Sequence, residues 1–108
     1  MKKHVFAYVE TKRTKRRTYG GSNYTLTVYD LTGGNVECLG TVDACTAAHK
    51  GEASEAWSVV VAKRPRILRT LAARAKAKGD AYLLEMATTE RGYHCWQFRE
   101  IGVELHAL

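Results

Sequence analysis

Apolar and polar positions along the chain change period twice, and those changes mark its elements. His4 to Glu10 is rich in β-branched and aromatic residues, with Val5, Ala7 and Val9 on one side and Phe6 and Tyr8 on the other. Neither side is polar, which predicts a central strand or one that presents its aromatics to a ligand. From Asn23 to Leu31 the chain alternates strictly, Tyr24, Leu26 and Val28 against Thr25, Thr27 and Tyr29, as a half-buried strand does. Thr32-Gly33-Gly34-Asn35 is a turn signal, and the alternation resumes through Val36, Cys38, Gly40 and Val42. Strands over 4–10, 22–31 and 35–43 with these connections read as an antiparallel meander.

Beyond Asp43 the period lengthens. Ala53, Ala56, Trp57 and Val60 recur at helical spacing, with Glu52 and Glu55 in the first turn and Lys63-Arg64 at the end, matching the helix dipole. The β-branched run Val59-Val60-Val61 argues the other way, for a strand. Pro65 suits the opening of a second helix, over 65–78, whose stripe is Ile67, Leu68, Leu71, Ala72 and Ala75 and whose stop is Gly79. Tyr82, Leu84 and Met86 alternate within Ala81–Thr88, and Trp96 and Phe98 within Tyr93–Arg99, on either side of Thr89-Glu90-Arg91-Gly92. That pattern predicts a C-terminal hairpin. The expected fold is α+β: one domain over 1–108, an antiparallel sheet of about five strands, and two helices (52–63 and 65–78) packed on one face. Val5, Leu26, Val28, Val42, Trp57, Val60, Leu68, Leu71, Leu84 and Trp96 are expected inside.

Charge changes this picture most. The net charge is +6, and it is carried in two blocks. Residues 1–20 hold seven Lys/Arg against one acid, and residues 63–78 hold seven with no acid. Lys12, Arg13, Lys15, Arg16 and Arg17 fall within six residues, followed by Tyr19, Gly20-Gly21 and Tyr24. Such a run repels itself, so it needs water or a polyanion. A solvated hairpin tip is the plain reading, and a phosphate-gripping arm the sharper one. Arg66, Arg69 and Arg74 on the second helix have no acid at i,i+4 spacing, so they form a cationic ridge. Arm and ridge together predict a nucleic-acid-binding protein, for DNA or RNA, that holds backbone phosphate with little sequence preference, aided by stacking on Tyr19 and Tyr24. The alternative is a small modulator of the phage or mobile-element accessory kind, docking its arm on an acidic protein surface.

Other chemistry is less well marked. Cys38, Cys45 and His49, with His94-Cys95, supply metal-ligand types but lack a close cysteine knuckle, so no metal or other cofactor is expected. No phosphate loop, nucleophile elbow or paired-carboxylate motif appears, and no enzymatic activity is expected. Three cysteines suit a reducing compartment. No apolar run approaches membrane-span length, and the cations and Glu10 interrupt any signal-peptide pattern, so a cytoplasmic location without membrane contact is expected. An exposed sheet edge would also allow a homodimer.

Overall fold

The computed structural model describes residues 2–12, 24–44, 49–88 and 98–108. Its elements are β1 (His4–Lys12), β2 (Tyr24–Asp30), β3 (Glu37–Ala44), α1 (His49–Lys63), α2 (Ile67–Lys78), α3 (Ala81–Thr88) and β4 (Val103–Ala107), with a short 3₁₀ turn at Thr32–Gly34. The strands lie in the order β3-β2-β1-β4. The meander is present: β1 pairs antiparallel with β2, and β2 with β3. β4 then returns to the free side of β1 and pairs with it in parallel, Phe6 opposite Leu105. The fold is therefore α+β, with a mixed four-stranded sheet and three helices.

Two expectations need correction. Ala81–Thr88 is helix, not the first strand of a hairpin, and the sheet is neither wholly antiparallel nor five-stranded among the described residues. The alternation of Tyr82, Leu84 and Met86 was a coincidence of composition. Ala81, Leu83, Leu84, Glu85, Met86 and Ala87 are strong helix formers, and burial falls on Leu83 and Ala87, four apart. Asp80 caps this helix, its carboxylate accepting the Leu83 amide at 3.0 Å. Most of the hairpin's second half, including Trp96, lies outside the described residues. Phe98 belongs to a 3₁₀ turn that leads into β4.

The helices cover one face of the sheet. Trp57 of α1 stands between Phe6 of β1 (ring centroids 6.5 Å, edge-on) and Phe98 (5.6 Å). Leu26, Val28, Val60 and Leu71 are fully buried around it, as expected, with Val42, Leu68 and Leu84 partly buried against the same core. Burial of Val60 decides the β-branched run in favour of helix, since tertiary packing outweighs a weak propensity. Val5 is only half-buried, because the larger Phe6 and Tyr8 take the helix-facing side of β1.

β3 holds a further surprise. The register slips between Val28 and Tyr29, so Gly40 faces Val28 and Cys38 faces Tyr29, leaving Leu39 as the extra residue. Leu39 turns inward, 4% exposed, while Cys38 is exposed and Val36 is 71% exposed. A simple alternation through Val36, Cys38, Gly40 and Val42 puts Cys38 on the same side as the half-buried Val42. The bulge reverses that assignment, and sequence period alone does not report a bulge.

Candidate functional site

The most site-like feature lies where α1 gives way to α2. Arg64 is the residue after α1, and Pro65 ends helical continuation by removing an amide donor. Arg64 donates from Nε to Asp30 at the end of β2 (3.1 Å), and its Nη2 lies 2.7 Å from Glu37 at the start of β3. One guanidinium thus pins the helix corner to two strands. Burial would push the Asp30 carboxyl up, but hydrogen bonds from Thr32 and Arg64 outweigh it and hold the group below its ordinary range.

Beside this clamp is a cleft of about 450 Å³, bounded by Lys2, His4 and Phe6 from the start of β1, Asp30 and Thr32, and residues 63–67 with Thr70 from the helix corner. Four of the lining residues are cationic (Lys2, Lys63, Arg64, Arg66), and one, Asp30, is anionic. Arg64 already holds Asp30. Lys2, Lys63 and Arg66 pair with no carboxylate among the described residues. His4 reports the resulting field: burial first, then Arg74 and Lys2, lower its pKa, and Asp30 offsets them only in part.

Arg74 has a separate task. Its guanidinium donates to the carbonyl oxygens of Ile101 (2.9 Å) and Lys2 (2.7 Å), tying the N-terminal segment to the turn before β4. It holds the Lys2 backbone in place at the cleft mouth instead of standing free on a ridge. Arg66 lines the cleft, and Arg69, one turn further along α2, is exposed. Lys76 is also exposed, while Lys78 pairs with Glu100.

The other expected site residues are placed unevenly. Lys12 ends β1, opposite Tyr24, which opens β2 half-buried. Arg13, Lys15, Arg16, Arg17 and Tyr19 lie outside the described residues. The cleft adjoins the His4 end of β1 and the cationic run leaves from the Lys12 end, about 26 Å away at strand rise. Tyr8 is core, and Tyr29 is half-buried on the sheet face away from Trp57. Lys2, His4, Lys63 and Thr70 were not singled out from sequence. The dense Lys63-Arg64-Pro65-Arg66 run was the available signal, but nothing in sequence order puts Lys2 and His4 beside it.

Among the described residues, no three His, Cys, Asp or Glu side chains gather closely enough to hold a metal ion. Cys45, His94 and Cys95 lie outside them. Among the described residues, no helix is long and apolar enough to cross a membrane. No protein-family model, curated protein or solved structure matches the chain.

Proposed function

We propose that the protein binds nucleic acid through backbone phosphate, without enzymatic chemistry and with little dependence on base sequence. The observation that supports this reading is the cleft at the α1–α2 corner, where Lys2, Lys63 and Arg66 face a common space and its one carboxylate is held by Arg64. Cations fixed around a concavity without counter-charges raise the local concentration of anions. The run from Lys12 to Arg17 is the second element of the proposed grip, with Tyr19 and Tyr24 available to stack on bases. Arg69 extends the cationic surface along α2.

The test is binding of unrelated single- and double-stranded DNA and RNA oligonucleotides between about 50 and 200 mM salt. Affinity is expected to fall steeply with salt. Lys63→Ala and Arg66→Ala should each weaken every sequence about equally and lower the salt slope by about 1. An R13A/R16A/R17A variant should lower it further. A flat salt response, or oligonucleotide binding untouched by all of these changes, overturns the proposal. Recovery of one acidic protein with no oligonucleotide binding would point to the modulator reading instead.

A further inference from the structure

We propose that the cleft is a mononucleotide-sized pocket for a phosphate monoester, occupied by the phosphorylated end of a strand or by a free nucleotide. This rests on the nucleic-acid reading above and assigns that site a ligand class. A volume of about 450 Å³ lies within the range of small-molecule sites, roughly 300–1,000 Å³. It suits a single nucleotide unit and not a duplex.

The charge arithmetic favours a monoester. A terminal phosphate carries about −1.5 to −2 at neutral pH and offers three free oxygens, where a phosphodiester within a chain carries one charge. Lys2, Lys63 and Arg66 supply three cations without carboxylate partners among the described residues. Helix amides do not take this role: those of Ile67, Leu68 and Arg69 are already bonded to the carbonyls of Arg64, Pro65 and Arg66. Phosphate recognition therefore falls to side chains.

The remaining lining fits the organic body. Phe6 and Ile67 are apolar, and Pro65 adds a ring. His4, kept neutral, has one ring nitrogen to donate and one to accept, and Thr70 contributes a hydroxyl. The pocket is preformed, since Arg64 fixes one wall to β2 and β3 and Arg74 fixes the backbone of Lys2. The groups that set the charge of His4 are Lys2 beside it, Asp30 on β2 and Arg74 on α2. Lys63, Arg64 and Arg66 complete the charged lining from the helix corner.

Adenosine 5′-monophosphate, adenosine and inorganic phosphate, each titrated into the full chain by calorimetry, test the assignment. The monophosphate should bind at least ~10-fold more tightly than either fragment. Lys63→Glu and Arg66→Gln should each weaken it ~10-fold while the thermal transition is retained. Lys76→Ala, exposed and outside the cleft lining, should leave it unchanged. The His4 imidazole, followed by NMR, should titrate at higher pH when the monophosphate is bound, because its dianion offsets Lys2 and Arg74. Oligothymidylate with a 5′-phosphate binding better than its 5′-hydroxyl form would assign a strand end, and equal affinity would assign the free nucleotide. Monophosphate binding no tighter than inorganic phosphate, or indifferent to Lys63 and Arg66, overturns the pocket. If oligonucleotides still bind in that case, the broader reading survives; if only the monophosphate binds, the pocket stands and the broader reading fails.

Discussion

Arg74 shows how one long side chain can serve the fold and the cleft together. It lies on the half-buried side of α2 and satisfies two carbonyls from opposite ends of the chain. Truncating it leaves those acceptors to water and loosens Lys2. Arg74→Ala should destabilise by about 1–3 kcal/mol in urea unfolding, with Arg74→Lys recovering only part, since lysine lacks the fork that reaches both oxygens. His4 makes a separate prediction. Its folded pKa lies below the unfolded value near 6.5, so the unfolded chain takes up the proton first as pH falls. The stability tied to neutral His4 is whole above about pH 6.5 and drains away as pH drops through the lower folded value. His4→Gln should flatten the difference between unfolding at pH 7.5 and at pH 5, whereas an unchanged difference would contradict this.

Between α2 and α3 the chain spends two residues on two helix ends. Gly79 adopts φ 77°, a left-handed conformation that costs glycine little, and its amide bonds to the Lys76 carbonyl while that of Asp80 bonds to Ala75. Asp80 then turns to cap α3. Asp80→Ala should cost about 1 kcal/mol, a shift of roughly 4–8 °C in Tm for a chain of this size. A thermal scan showing no shift would mean that α3 does not depend on the cap. These elements also mark how far a linear reading reaches. β2 and α2 are legible because their buried positions, Leu26 and Val28 in one and Ile67, Leu71 and Ala75 in the other, recur at one clean period. α3 was misread because Tyr82, Leu84 and Met86 satisfy a period of two while Leu83 and Ala87, the pair that is buried, satisfy four. Gly79 reads as a helix stop, and Asp80 beside it carries the N-cap signal of the helix that follows. The β3 bulge left no mark in composition. Arg66 was found in the cleft because it sits in a conspicuous cationic run. Lys2 and His4 carry no such signal, because only the tertiary fold brings them to that run.

Across the molecule, the helices cover one side of the sheet and the basic cleft lies at one end of β1. Val103 sits 1% exposed beneath the helices, so Val103→Asp would bury a charge without a partner. That change should abolish the cooperative thermal transition seen by circular dichroism, and a sharp transition near the original Tm would refute the placement of β4 in the core. β1 and β4 are neighbours in the sheet although Phe6 and Leu105 are 99 positions apart in sequence. Closing so large a loop comes late and carries an entropic penalty that local helices do not. During synthesis β1 emerges well before β4 and waits with one side unpaired until β4 has cleared the ribosome. The Lys2, His4 and Phe6 wall of the cleft is therefore among the last parts to become firm, because its strand is completed only by a partner from far along the chain.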